Sequence, residues 1–135
     1  MTPDFGQAAR RLIAGQPDDG SNQVAARASQ ECARFTNHLA RLVGYTGAQL
    51  LLRRSLVLAG PQVPWLAAAL SPADTVSALR EAMEQQEPES ITEAFVAVLS
   101  ALVGLLERLI GEGLVARQLY DVWPTVFTYP AKDIP

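Results

Sequence analysis

The chain is poor in the residues that most enzymes use for chemistry. Among its 135 residues it has one cysteine, Cys32, and one histidine, His38, and aromatic residues make up only 7%. A single cysteine cannot form an internal disulfide, so the sequence does not require an oxidising compartment. A structural zinc site needs a cluster of four ligands, which this pair cannot supply. We therefore expect no metal site and an inert, buried thiol at Cys32.

Other signs of catalysis and cofactor binding are also missing. The sequence has no glycine-rich phosphate loop, no dinucleotide-binding fingerprint and no Ser-His-Asp or Cys-His arrangement. The acidic side chains between Glu81 and Glu93 are expected to form a solvated surface patch. These absences predict a protein that is not an enzyme, has no catalytic residues and binds no cofactor, and they leave no small-molecule ligand identifiable.

Long apolar runs and an excess of positive charge are missing too. The longest apolar run, residues 95–106, is 12 residues long, whereas a membrane-spanning helix needs about 20. No secretory signal is visible in residues 1–11. The net charge of −3 does not favour nucleic acid as a partner. We expect a soluble, cytoplasmic protein with no membrane partner, whose halves pack with complementary charge, since residues 1–60 carry +3 and residues 61–135 carry −6.

What the sequence has in abundance is alanine and leucine, which favour helices. Strict alternation of apolar and polar residues is nowhere sustained, so we predict an all-α, single-domain bundle of about five helices. The helices are expected at residues 3–14, 22–43, 46–59, 72–86 and 91–122. Residues 1–124 would form the bundle and residues 125–135 an extended tail, because residues 124–135 contain three prolines.

The last predicted helix is the longest and is apolar on nearly all sides, which is typical of a central helix. Over residues 91–122 it would be about 48 Å long at 1.5 Å per residue, too long for a lone small domain. Either it breaks near Gly111 to Gly113, or its excess length packs on a second copy. Capping patterns predict helix starts at Ser71-Pro72 and at Ser90, where Glu93 completes a capping box. Trp65 is expected to anchor the connector 61–70 to the core.

One phrase occurs twice: LARLVG at residues 39–44 and LERLIG at residues 106–111. Each is followed by a leucine-rich segment that carries arginine. A structural interpretation is that each phrase turns at its glycine and that the two pack as pseudo-symmetric helical hairpins. The side chains predicted to be buried in this packing are Leu39, Leu42, Leu50, Leu106, Leu109 and Leu114.

A second interpretation is a helix-turn-helix over residues 39–56, with Gly44 in the turn. The base-reading positions would then be Thr46, Gly47, Ala48, Leu51 and Leu52. None of them offers a bidentate donor to a base edge, so DNA binding stands only as an alternative.

A third interpretation is a signalling relay through His38 as phosphoacceptor. Its helix loosely resembles those of histidine phosphotransfer domains, with a basic residue, Arg41, three positions on. Arg27, Glu31 and Arg34 lie on the same helical face and could help to hold a phosphoryl group. The alternative is a solvated face with internal ion pairs such as Arg27 with Glu31.

The sequence also resembles a group of small bacterial helical proteins of unknown function. The matching segments are Leu42 to Gly44, Leu109 to Glu112, and Trp123-Pro124. The resemblance implies a bacterial origin and one helical domain, and it carries over no catalytic residue.

The tail supplies the remaining candidates for a contact with a partner. Trp123, Phe127 and Tyr129 are three of the nine aromatic residues of the chain. We expect Trp123 to join the core, and Phe127 and Tyr129 to dock on this chain or on a second copy, with a groove of a different protein as the alternative. The favoured function is a non-enzymatic interaction module that forms a homodimer, with Arg27, Arg34, Arg41, Phe127 and Tyr129 as candidate partner-binding residues.

Overall fold

The chain is all-α, as predicted. A computed structural model describes residues 5–16, 18–70 and 74–127, and these ranges contain helices and no strand. The elements are α1 (Phe5–Leu12), α2 (Ser21–Ala59), a 3-10 helix (Pro64–Ala69), α3 (Thr75–Glu84), α4 (Pro88–Ile110) and α5 (Glu112–Val122).

The helix predicted over residues 91–122 breaks at Gly111, which is one of the two outcomes expected there, and is therefore two helices instead of one long central helix. Gly111 separates α4 from α5, with φ 88° and ψ 157°. This region of backbone conformation is open essentially to glycine alone. The Gly111 N–H donates to the carbonyl of Glu107 at 2.9 Å, and its own carbonyl accepts from the Val115 N–H at 3.2 Å. One residue thus ends the first helix and begins the next without a loop, and helix length no longer argues for a second copy.

Gly44 makes the same corner inside α2. Its φ of 84° and ψ of 162° are the only non-helical backbone angles in that helix. They divide α2 into a first arm, residues 21–43, and a second arm, residues 45–59. The second arm begins at Tyr45, one residue before the predicted start at Thr46. Gly44 and Gly111 are the only residues of the described ranges that have a positive φ.

The two helix–glycine–helix units share one pattern of burial. Gly44 and Gly111 are 67 positions apart. At this same separation, eight pairs of residues are buried in both units: Val24 and Ile91, Ala28 and Phe95, Cys32 and Leu99, Phe35 and Leu102, Leu39 and Leu106, Ala48 and Val115, Leu52 and Leu119, and Leu56 and Trp123. The repeated phrase is therefore the sequence trace of a structural repeat.

Both glycines lie at the same end of the bundle. The Ser21 hydroxyl donates to the Gln86 carbonyl, so α2 and α4 start side by side. His38 lies six residues before the first glycine, and its Nε2 is 2.7 Å from Oε1 of Gln118, seven residues after the second. Six or seven residues of helix span only about 10 Å. The first arm of α2 and α4 thus run in the same direction toward one end.

The second helix of each unit packs on the first helix of the other unit. α5 returns along the first arm of α2, where the Trp123 ring stacks on Phe35 at 5.1 Å between centroids. The second arm of α2 returns along α4, where Ala59 and Ala97 line a common groove. Each unit therefore packs its second helix on the first helix of the other, which relates the units by a pseudo-twofold axis along the bundle.

Two helix starts differ from the predicted ones. Asp74 caps α3, and its carboxylate accepts from the N–H groups of Val76 and Ser77. The hydroxyl of Ser77 also donates to this carboxylate and lowers the pKa of Asp74. Residues 71–73, where the sequence predicted the cap, lie outside the described residues. α4 begins at Pro88, so Ser90 lies inside its first turn and the predicted capping box is wrong.

The connector after α2 is more regular than predicted. Residues 64–69 form about two turns of 3-10 helix that begin at Pro64, because proline fits the first position of a helix. Trp65 is half-buried and packs against the core, as expected.

The described part of the tail packs on the bundle. Phe127 is buried, with its ring centroid 6.0 Å from that of Trp123 and 5.8 Å from that of Phe5. Of the docking sites expected for Phe127, which were this chain or a second copy, the structure shows the first. Phe127 thus packs on the bundle although it lies beyond the predicted domain boundary at residue 124. Tyr129 lies outside the described residues.

We expect alanine at either corner glycine to destabilise the fold. A Cβ at Gly44 or Gly111 would meet no atom within 4 Å, so the penalty comes from the backbone alone; it should be about 1–3 kcal/mol for each. Gly104 is the matched control, because it lies inside α4 and a Cβ there also meets open space. Gly104→Ala should stabilise by about 0.5–1 kcal/mol. Urea unfolding measures all three, and equal effects at the three sites would contradict the corner geometry.

Truncating Phe127 should also destabilise the fold. Phe127→Ala removes a buried ring from between Phe5 and Trp123 and should cost about 3 kcal/mol. Phe127→Leu keeps most of the apolar volume and should cost less than half as much. Thermal unfolding followed by circular dichroism makes the comparison, and an unchanged melting temperature for the alanine variant would show that the ring is not part of the core.

Candidate interaction surface

The only histidine of the chain is held between two helices. His38 is half-buried on the first arm of α2, and its Nε2 donates to the side-chain carbonyl of Gln118 at 2.7 Å. Gln118 is itself buried. A phosphoacceptor nitrogen must be accessible and carry a free lone pair, so this contact lends no support to a relay through His38.

Two arginines of the predicted basic face, Arg27 and Arg34, make contacts within the chain. Arg27 lies 2.7 Å from Asp19 and donates from Nε to the carbonyl of Ile13. Arg34 pairs with Glu31 at 3.1 Å, so the expected pair of Arg27 with Glu31 does not form.

Glu31 has a second role in the same place. Its carboxylate accepts a hydrogen bond from the indole N–H of Trp123 at 2.7 Å. Glu31 therefore ties α5 to the first arm of α2. Of the three arginines proposed from the sequence, Arg41 alone is exposed without such a contact in the described ranges.

The positions proposed to read DNA are partly inside the core. Ala48 and Leu52 are buried, and Leu51 is half-buried against the core. Buried side chains cannot reach base edges, so the corner at Gly44 does not present the second arm of α2 as a recognition helix.

Cys32 is a buried free thiol. Burial, with a smaller contribution from the neighbouring Glu31 carboxylate, raises its pKa to about 12. Across the described ranges, no group of three or more His, Cys, Asp or Glu side chains is placed to hold a metal ion.

A groove of about 610 Å³ lies between α1, the end of α2 and α4. Its walls include Leu58, Ala59, Val96 and Ala97, and its only titratable residues are Arg10 and Glu93. Arg10 is paired with Glu89 at 3.4 Å. This lining lacks a nucleophile with an adjacent base, which catalysis by acyl or phosphoryl transfer would need.

The most unusual surface lies at the end that carries the two glycines. Four leucines predicted to be buried there are exposed: Leu42 (50%), Leu50 (61%), Leu109 (63%) and Leu114 (47%). Leu39 and Leu106 are buried as predicted. Leu42, Leu109 and Leu114 are exposed because the helical turn next to each glycine extends beyond the packed arms and no other described element covers it. Leu50 lies six residues after Gly44, on an exposed face of the second arm.

We define two tips on this glycine end. The first tip is residues 41–47 and the second tip is residues 107–114. Val43 and Tyr45 of the first tip are also exposed, by 37% and 69%. Single exposed apolar residues are ordinary, but five large ones in the two tips make this end a candidate interaction surface.

The tips carry charges of opposite sign. The first tip contains Arg41 as its only charged residue, whereas the second contains Glu107, Arg108 and Glu112. All four are exposed, and the ion pairs of the described ranges include none of them.

Sequence reasoning missed this surface because apolar periodicity assigns every leucine of a helix face to the core. The exposed positions can be recognised when the two phrases are aligned on Gly44 and Gly111 and the distance of each residue from its glycine is counted. Buried pairs fall five residues before and four residues after each glycine, as at Leu39 and Ala48. Leu42 and Leu109 lie two residues before it, in the terminal turn.

Comparisons with protein-family models, with curated proteins and with solved structures find no match to this chain. The resemblance to small bacterial helical proteins stays a prediction. Within the described ranges, no helix combines the length and apolar character needed to cross a membrane.

The Cys32 thiol should be unreactive in the folded protein. With a pKa of about 12, little thiolate forms at pH 8, and burial blocks access to the sulfur. A chromogenic disulfide reagent should therefore label the native chain only at the rate of unfolding, and label one thiol per chain in denaturant. Rapid labelling of the native protein would contradict this placement of Cys32.

Proposed function

We propose that the protein is a non-enzymatic protein–protein interaction module that self-associates as a homodimer through its glycine end. The observation that carries the proposal is the exposure of Leu42, Tyr45, Leu109 and Leu114 around two corners at one end of the bundle. Removing such side chains from water favours association by about 25 cal/mol per Å² of apolar surface.

The build of the surface supports the same proposal. Both tips are continuous with helices, and each corner is a single glycine instead of a loop. A surface held in this way loses little conformational freedom on binding, which lowers the free-energy cost of association.

Of the five partner-binding candidates from the sequence, only one belongs to the proposed contact surface. Arg41 lies in the first tip and is kept as a contact residue. Arg27 and Phe127 serve contacts within their own chain, and Arg34 is paired with Glu31. Tyr129 lies outside the described residues and has no part in the argument.

A bacterial, cytoplasmic protein remains part of the proposal. The single thiol of the chain is buried and free, so folding requires no oxidising environment. Neither an enzymatic activity nor nucleic-acid binding is proposed, because no described group of residues supports one.

Sedimentation velocity at micromolar to tens of micromolar protein tests the proposal. The wild type should sediment as twice the chain mass of 14.5 kDa. Leu42→Ser/Leu109→Ser should sediment as a monomer with an unchanged helical circular dichroism signal, because it removes apolar surface from both tips without touching the core.

Val57→Ser/Leu58→Ser is the matched control. These side chains are exposed to a similar degree, 47% and 44%, but they lie at the far end of α2, about 20 Å along the helix from Gly44. The control should dimerise like the wild type. A wild type that stays monomeric at every concentration would refute self-association.

A further inference from the structure

We infer that the partner of each tip is the unlike tip of a second copy: the first tip of one chain docks on the second tip of its mate, with Arg41 opposite Glu107 and Glu112. This inference rests on the proposed self-association and adds its geometry. The dimer would be end to end, with both contacts repeated by one twofold axis.

The pseudo-twofold symmetry of the chain limits the possible arrangements. Its axis runs along the bundle and exchanges the two tips. When two such domains meet end to end in a closed dimer, the true twofold axis lies across the bundle. Only two arrangements then bring all tips into contact: like tips together, or unlike tips together.

Charge decides between the two. The first tip has a net charge of +1 from Arg41, and the second tip has a net charge of −1, because Arg108 offsets one of its two carboxylates. Like-on-like docking therefore brings together two tips of charge +1 and two tips of charge −1. Unlike docking brings a tip of charge +1 onto a tip of charge −1 twice in each dimer, with Arg41 opposite Glu107 and Glu112. Like charges brought together at an interface are unfavourable, whereas complementary charges set its register. None of these three side chains is held by an ion pair within its own described chain.

The apolar side chains of the two tips also favour contact between unlike tips. The position after the glycine is Tyr45 in the first tip and Glu112 in the second, and the position three after it is Gly47 in the first and Leu114 in the second. Unlike docking therefore offers the exposed ring of Tyr45 to Leu109 and Leu114. Like docking would place Tyr45 against Tyr45 of the second copy. It would also place Leu109 and Leu114 against the same leucines of the second copy, next to carboxylates that repel each other. Aromatic rings on aliphatic side chains are common anchors of interfaces.

Charge reversal with mixing tests the inference. The two chains to compare are Arg41→Glu and Glu107→Arg/Glu112→Arg. Alone, each should dimerise at least about tenfold more weakly than the wild type, because both contacts of its homodimer become repulsive. An equimolar mixture should recover an affinity close to that of the wild type, since every contact in the mixed dimer is again between opposite charges.

The controls separate local contacts from overall charge. Arg54→Glu and Glu81→Arg/Glu93→Arg change the net charge by the same amounts at exposed residues outside the tips. Each should dimerise alone like the wild type. Circular dichroism and melting temperature verify that every chain is folded, and sedimentation or mass photometry of the mixtures gives the dimer fractions.

The outcomes distinguish this inference from the proposed function. Weak homodimers of both tip variants with recovery on mixing support unlike docking. If the tip variants dimerise as well alone as the wild type does, or fail to recover on mixing, the inference is overturned while self-association stands. If the wild type itself is monomeric, the proposed function fails, and the inference fails with it.

Discussion

The backbone conformation of two glycines governs the rest of this structure. Gly44 and Gly111 both have φ near 85° and ψ near 160°, a combination that side chains with a Cβ avoid. Each ends one helix and starts another with no loop between them. Because the corners are alike, the two units fold alike, and their second helices pack on each other's first helices. The contacts of Gln118 with His38, and of Trp123 with Phe35 and Glu31, all depend on this return.

The same corners explain the exposed apolar surface. A corner without a loop brings the terminal helical turns, with their leucines, to the very end of the bundle. Longer polar loops would cover or replace these side chains, but a single glycine leaves Leu42 and Leu109 at the surface. The bundle is thus closed along its length and apolar at one end. Such an end supports the contact between copies that we propose, because the pseudo-twofold relation within the chain places two similar tips side by side.

Helix content, the burial of Trp123, and the burial of Leu39 and Leu106 five residues before each glycine could be predicted from the sequence. Composition and apolar periodicity determine these features locally. Three features could not be predicted in this way. The start of α4 could not be predicted because two start signals lie close together, Pro88 and the capping box of Ser90 with Glu93. The helix begins at Pro88, with Glu87 as its N-cap residue. The choice between a break and an unbroken helix at Gly111 depends on whether α5 gains more by packing on α2. The exposure of Leu42 depends on where neighbouring helices end, which no local pattern records.

The central claim is that two copies meet at their glycine ends, and small-angle X-ray scattering tests it directly. A first arm of 23 residues is about 35 Å long, so an end-to-end dimer is elongated. The account predicts a maximum dimension for the wild-type dimer close to twice that of the monomeric Leu42→Ser/Leu109→Ser variant. A dimer whose maximum dimension barely exceeds that of the monomer would place the contact along the sides of the bundle and contradict the account.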